Sequence, residues 1–150
     1  MNRDFAEMLS ELSVQGAEFL VVGAHALAAH GFPRATGDLD IWVRPTPENA
    51  QRVMTALRRF RAPLHDLSET DLRTPGVVFQ IGLPPCRIDL LTAITGVSFD
   101  DAWCHRRLVE VDGITFAVLG RNELIQNKRA TGRPKDLADL AALESRERES

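Results

Sequence analysis

Cysteine is scarce in this chain, and long hydrophobic runs do not occur in it. The 150 residues contain two cysteines, Cys86 and Cys104, whose spacing matches neither a metal-ligand motif nor a disulfide framework, so a reducing compartment is expected. No apolar run approaches the roughly 18 residues of a membrane-spanning helix. The N-terminal MNRDFAEMLSEL is acidic and amphipathic, unlike a signal sequence. These features predict a cytoplasmic protein that has no membrane partner.

Positive charge is not in excess either. The formal net charge is −3, so no overall positive field favours strong nucleic-acid binding. Local basic clusters remain, among them the one formed by Lys128, Arg129, Arg133 and Lys135. The length predicts one domain over residues 1–150 with a sizeable core.

Helical and extended patterns alternate along the sequence. DFAEMLSEL has the apolar spacing of a core-facing helix, EFLVVG and GDLDIWV are typical of strands, and AHALAAHG is typical of a short helix. A hairpin is predicted around Asp112-Gly113, and RNELIQNKRATG and PKDLADLAALE predict two closing helices. The order favours an α+β fold, with a small mixed sheet, helices packed mainly on one face and a C-terminal helical segment.

Two carboxylates lie on one face of the predicted strand GDLDIWV. Asp38 and Asp40 are two residues apart, so their side chains leave the same face with roots roughly 6–7 Å apart. Such a pair repels and is costly to bury without a partner. Asp89, in the second apolar strand of CRIDLL, is a third acid. Oxygen ligands of this kind suit Mg²⁺, so the sequence predicts a divalent metal site.

Structural roles are the alternative for the same residues. Asp38 would then be a turn residue, Asp40 would pair with Arg34 or Arg44, and Asp89 would pair with Arg87. Trp42 shares the strand face of the two acids, and either stacking on a base or packing in the core is open to it.

The segment FLVVGAHALAAHG predicts a strand, a glycine and a helix in immediate succession. A helix that begins at Gly23 directs free backbone N–H groups toward the end of the strand. Glycine also lets the backbone approach a ligand closely. A triphosphate is the ligand that suits this position.

Together these motifs carry a family resemblance. VVGAHALAAHGFPRATGDLDIWV followed by RIDLL resembles the DNA polymerase β-type nucleotidyltransferase superfamily. LIQNKRATGRPKDLADLAAL is similar to the Lys-then-Asp segment of AbiEii-type toxin nucleotidyltransferases and of related small stand-alone proteins. The resemblance extends from about Glu18 to Leu143. One departure is Gly23-Ala24, where many members have Gly-Ser or Gly-Gly, so no hydroxyl is present there to bond a phosphate.

The resemblance implies a fold like the polymerase β palm, with a catalytic core at about residues 18–92 and a C-terminal hairpin and helices at 93–150. It implies transfer of a nucleoside monophosphate from an NTP to a hydroxyl of a tRNA, a protein or a small molecule, with release of pyrophosphate. Two Mg²⁺ ions would be held by Asp38, Asp40 and Asp89, and Asp89 would help to remove the acceptor proton. The implied catalytic residues are Asp38, Asp40, Asp89 and Lys128, and the implied nucleotide-binding residues are Gly23, Ala24, Thr36, Lys128, Arg133 and Asp136.

Several alternatives stay open at this level. Lys128 would reach the triphosphate or extend to solvent, and Asp136 would support Lys128 or be a first-turn acid favoured by the helix dipole. The chain as a whole could be a catalytically inactive nucleotide-binding or antitoxin-like module. Because a domain of this size has little room for acceptor binding, a homodimer or a cognate partner protein is also expected.

Overall fold

The computed structural model describes residues 1–32, 37–83 and 86–149, with side chains described to residue 145. The predictions for Arg34 and Thr36 therefore lie outside the described residues. The strands are β1 (Phe19–Val22), β2 (Leu39–Val43), β3 (Val78–Ile81), β4 (Ile88–Leu91), β5 (Arg107–Val111) and β6 (Ile114–Val118). The helices are α1 (Arg3–Val14), α2 (Gly23–Ala29), α3 (Pro47–Phe60), α4 (Glu69–Arg73), α5 (Phe99–Cys104), α6 (Arg121–Thr131) and α7 (Pro134–Glu149).

The strands form one mixed sheet in the order β3-β4-β2-β1-β6-β5. The pairs β2–β4 and β1–β6 are parallel, whereas β1–β2, β3–β4 and β5–β6 are antiparallel. The predicted α+β class with a mixed sheet is confirmed. Since β6 lies next to β1, the C-terminal segment completes the sheet begun by the N-terminal half.

Local sequence signals set the element ends. Thr46 caps α3 with its side chain and Pro47 occupies the first turn. Ser68 and Asp71 form a capping box at the start of α4. The hairpin between β5 and β6 turns at Asp112-Gly113, where both residues have positive φ, as a tight two-residue turn requires.

The core is formed from the apolar stripes of the helices and from both faces of the central strands. In α1 the buried residues are Phe5, Met8, Leu9 and Leu12, as the spacing predicts. Trp42 is 2% exposed and packs edge-on against Phe99, with ring centroids 4.9 Å apart. The expectation that Trp42 could stack on a base is therefore wrong, because α5 covers the ring.

None of the helices in the described ranges has the length together with the apolar character that crossing a membrane requires.

Asn49 ties α3 to the central strands. It is 1% exposed, and its Oδ1 accepts a hydrogen bond from the Glu18 N–H at 2.7 Å. Its Nδ2 donates to the carbonyls of Glu18 at 3.0 Å and Arg44 at 2.9 Å. One side chain thus satisfies three backbone groups at the start of β1 and the end of β2.

Substituting Asn49→Ala is expected to lower the free energy of unfolding by about 2–3 kcal/mol, because three hydrogen bonds to the backbone are lost. The Glu18 carbonyl keeps the Arg44 N–H as a donor. Urea denaturation followed by circular dichroism measures the change. Gln51→Ala, at an exposed position of the same helix, is the matched control and should change stability little. Equal stability of the two variants would contradict the structural role of Asn49.

Candidate active site

The three acids converge because of the pairing of β2 with β4. These strands are parallel, and Asp40 and Asp89 are direct register partners. Asp38 lies two residues before Asp40, so its side chain leaves the same face. All three acids line a cavity of about 380 Å³. We name this the acidic cavity; its lining residues are Gly23, Ala24, Leu27, Asp38, Asp40, Arg87, Asp89, Lys128, Arg133 and Lys135.

Gly23 lies directly against Asp40. Val22 is the register partner of Asp40 in the antiparallel pair β1–β2, so the next residue meets that carboxylate. A Cβ at Gly23 would overlap the Asp40 side chain, and the residue also has a φ of +68°. Both features require glycine here. The sequence predicted close approach of this glycine to a ligand, and the structure shows that its neighbour is the acid itself.

Arg87 neutralises two of the three acids. Its Nε donates to Asp89 Oδ1 at 2.8 Å, and its Nη2 donates to Asp89 Oδ2 at 3.2 Å and to Asp38 Oδ2 at 3.3 Å. The alternative pairing of Asp89 with Arg87 is therefore confirmed, and it extends to Asp38. Within the described ranges, no group of three or more acidic, histidine or cysteine side chains is closed around a metal position. The guanidinium stands between the acids as a monovalent counter-cation.

Asp40 is the acid that Arg87 does not bond. Among the described residues no donor forms a hydrogen bond with the Asp40 carboxylate, and Arg44 instead bonds Glu18 and Asp100. The alternative pairing of Asp40 with Arg44 is wrong. Burial, with added repulsion from Asp89 and Asp38, raises the pKa of Asp40 from 3.8 to about 6. Negative charge at this point is thus only partly compensated by the protein.

The donor set fits a hard divalent cation. All three candidate ligands are carboxylates, which Mg²⁺ prefers over nitrogen or sulfur. The raised pKa of Asp40 indicates that further positive charge would be favourable. Asp38, Asp40 and Asp89 are the residues that could hold such an ion if Arg87 gave up part of its bonding to Asp38 and Asp89, since they form no ready metal site as they stand.

A cationic group from the C-terminal helices faces the acids. Lys128, on α6, is only 7% exposed, and its Nζ lies 3.2 Å from Asp136 Oδ1 and 3.1 Å from Asp139 Oδ2. Burial lowers the pKa of Lys128, and Asp136 opposes this shift in part. The expectation that Lys128 extends to solvent is therefore wrong, and Asp136 does contact it.

Arg133 shares Asp136 with Lys128. The Arg133 Nε donates to Asp136 Oδ2 at 2.6 Å, and this bond, the largest cause, holds the pKa of Asp136 well below its usual range. Arg133 itself is exposed and lines the acidic cavity together with Lys135. Asp136 and Asp139 thus fix the buried cation Lys128, and the exposed cations Arg133 and Lys135 lie at the rim of the cavity.

Asp139 is the site residue that sequence reasoning missed. It is 2% exposed and lies on α7 one turn after Asp136. The signal available in the sequence was an acid pair at i and i+3 on a helix otherwise rich in alanine and leucine, since that spacing puts both carboxylates on one face. Arg87 was weighed only as a partner of Asp89, and its contact with Asp38 was not predicted.

This arrangement of sheet, glycine turn and acids defines a nucleotidyltransferase fold. The chain belongs to the family described as nucleotidyl transferase of unknown function (DUF2204), whose model matches residues 1–149. A solved structure of a protein from Thermotoga maritima that is proposed to be a nucleotidyltransferase is similar, with a TM-score of 0.60 and 17% identity over 99% of this chain and 92% of that one. This likeness concerns the fold. No curated protein matches the sequence.

Replacing the Asp40 carboxylate by a neutral group is expected to stabilise the folded protein, and the gain should depend on pH. Because the pKa in the folded state, about 6, lies above the usual 3.8, the folded protein binds more protons than the unfolded chain between these values. The charged carboxylate therefore lowers stability above pH 6, and this penalty fades as the pH falls to 4. In a chelator, Asp40→Asn should stabilise the protein at pH 8 by about 1–2 kcal/mol, a value reduced for partial solvent screening.

Denaturant titrations at pH 8 and pH 4 test this. The control is Asp66→Asn, which removes an exposed carboxylate and should show no comparable gain. A loss of stability in Asp40→Asn at pH 8 would contradict the proposed electrostatic strain.

The buried lysine predicts a second stability effect. Lys128→Met should lower the free energy of unfolding by about 2–4 kcal/mol, because Asp136 and Asp139 would stay buried with less positive charge nearby. Lys135→Met removes an exposed lysine that lines the same cavity, so it serves as the matched control with a small expected change. Thermal unfolding of both variants at pH 7 measures the difference, and a stable Lys128→Met protein would refute the buried network.

Proposed function

We propose that this protein is an Mg²⁺-dependent nucleotidyltransferase that moves a nucleoside monophosphate from an NTP to a hydroxyl acceptor. The observation that carries the proposal is the meeting of Asp38, Asp40 and Asp89 in one cavity with a glycine turn on one side and basic side chains on another. Acids and bases placed in this way suit two metal ions and a triphosphate together. Family membership supports nucleotidyl transfer in general.

The three acids would bind the metal ions, and one of them would also accept a proton. Asp38 and Asp40 would hold two Mg²⁺ ions, and Asp89 would complete the second metal site. Bound there, the ions would neutralise the triphosphate and promote loss of the acceptor proton. Asp89 is the acid placed to help accept that proton. Arg87, which bonds Asp89 and Asp38, would turn part of its bonding toward phosphate oxygens when cations enter.

The triphosphate would lie between α2 and the C-terminal helices. Ala24 contributes only backbone there, because its side chain has no hydroxyl. Lys128, held in place by Asp136 and Asp139, and the rim cations Arg133 and Lys135 would neutralise phosphate oxygens. In-line attack of the acceptor oxygen on the α-phosphorus forms the new P–O bond while the bond to pyrophosphate breaks. Thr36 stays in the proposal as a nucleotide-binding residue.

The proposed acceptor is a hydroxyl of a tRNA, a protein or a small molecule. The similarity of LIQNKRATGRPKDLADLAAL to the AbiEii-type toxins supports kinship with that subfamily. The net charge of −3 gives little support to RNA binding without a partner. A second copy of the chain or a cognate protein would supply surface for a large acceptor.

Loss of the central acids should abolish transfer. Wild-type protein with α-labelled NTPs and Mg²⁺ is expected to label one fraction of a cell extract, whereas Asp40→Asn and Asp89→Asn should reduce the label by about 1,000-fold or more, since metal positioning supplies most of the catalysis. Asp66→Asn is the control and should retain activity. Circular dichroism verifies folding of every variant. Turnover near wild type in Asp40→Asn would remove the assigned role.

An inactive nucleotide-binding module is the second candidate, and the contacts of Arg87 favour it. A guanidinium already bonded to two acids could replace the metal permanently. This candidate predicts NTP binding by calorimetry that is independent of Mg²⁺ and is followed by no pyrophosphate release. Binding that requires Mg²⁺, together with pyrophosphate release, would exclude it.

A further inference from the structure

A second cavity lies beside the acidic one. It has a volume of about 500 Å³, which is in the range of sites for drug-sized molecules. We name it the apolar cavity, because aromatic and aliphatic side chains from α1, α2 and the β5–β6 hairpin form most of its wall. Its apolar lining includes Phe5, Ala28 and Phe116, and its polar lining includes Asn2, His25 and Glu110.

The two cavities adjoin along two chain segments. Gly37 lines the apolar cavity and the next residue, Asp38, lines the acidic one; Cys86 and Arg87 are related in the same way. Asp38 and Arg87 are moreover bonded to each other. A molecule in the apolar cavity would therefore lie next to the acids, at the β2 and β4 side of the metal site.

His25, one of the polar residues of the wall, links the apolar cavity to the acidic one. Its ring packs edge-on against Phe5, with centroids 5.7 Å apart. The ring also forms a hydrogen bond with the backbone of Asp38, which lines the acidic cavity. Its Nε2 is buried with no hydrogen-bond partner in the described part of the chain. Because solvent does not reach this nitrogen, the imidazole contributes packing surface to the wall rather than a hydrogen bond to a ligand.

We infer that the apolar cavity is the acceptor site, and that the acceptor is a small, mostly apolar or aromatic molecule carrying a hydroxyl group. This inference rests on the proposed function, which supplies the reason for a hydroxyl beside the acids. The wall offers mostly apolar contacts to the body of such a molecule, and its hydroxyl end would be directed toward the neighbouring acids. Among the described residues of the wall, a polynucleotide finds no lysine or arginine, and a polycation finds a single carboxylate, that of Glu110.

Filling the cavity tests the inference by direct binding. The probe is 2-naphthalenemethanol, a neutral aromatic alcohol, followed by saturation-transfer NMR without nucleotide. Ala28→Trp places a large ring into the cavity from α2 and should weaken probe binding by about 10-fold or more, since the ligand's apolar contacts are lost. Ala142→Trp, at an exposed position of α7, is the matched control and should bind like wild type. No binding to the wild type, or equal binding to all three proteins, would overturn the inference.

A label-transfer assay distinguishes this inference from the proposed function. Labelled NTP and Mg²⁺ are incubated with small-molecule, RNA and protein fractions of a cell extract, and calorimetry records Mg²⁺-dependent NTP binding. The inference is supported if the wild type labels the small-molecule fraction, and if Ala28→Trp loses this label but still binds NTP. Label in RNA or protein that is unchanged in Ala28→Trp overturns the inference but leaves the function. Failure to bind NTP or to release pyrophosphate with any fraction overturns both.

Discussion

Repulsion among three carboxylates is the constraint on which the site depends. Parallel pairing of β2 with β4 makes Asp40 and Asp89 direct neighbours, and the strand period brings Asp38 to the same face. The fold relieves this repulsion only in part, through the contacts of Arg87 with Asp38 and Asp89. Asp40 keeps a pKa near 6. Groups whose pKa is strongly shifted by burial and by a neighbouring charge cluster at functional sites.

The opposite charge comes from a distant part of the chain. Lys128 on α6 is oriented by Asp136 and Asp139 on α7, so its ammonium group is fixed before any ligand binds. Such preorganisation would favour binding of the proposed triphosphate, because little side-chain entropy would be lost on binding. The closing helices thus act as part of the site, and β6 secures them by pairing with β1 at the centre of the sheet.

Some features of the site followed directly from sequence patterns. The alternation in GDLDIWV put Asp38 and Asp40 on one face, and the strand-glycine-helix pattern placed Gly23 at the start of α2. Other features needed distances that no pattern contains. Trp42 shares the face of the acids, yet the packing of α5 removed it from the cavity. The contact of Asp139 with Lys128 depends on the packing of α7 beside α6.

The sequence by itself determined the helix caps, the hairpin turn, the apolar stripes and the set of charged residues, because these depend on neighbours within a few positions. Tertiary structure decided which charges meet. Register between β2 and β4 selected Asp89 as the partner of Asp40, and the packing of α6 on α7 buried Lys128. The physical reason is that electrostatic interactions depend on distance and burial in space, whereas the sequence specifies only separation along the chain.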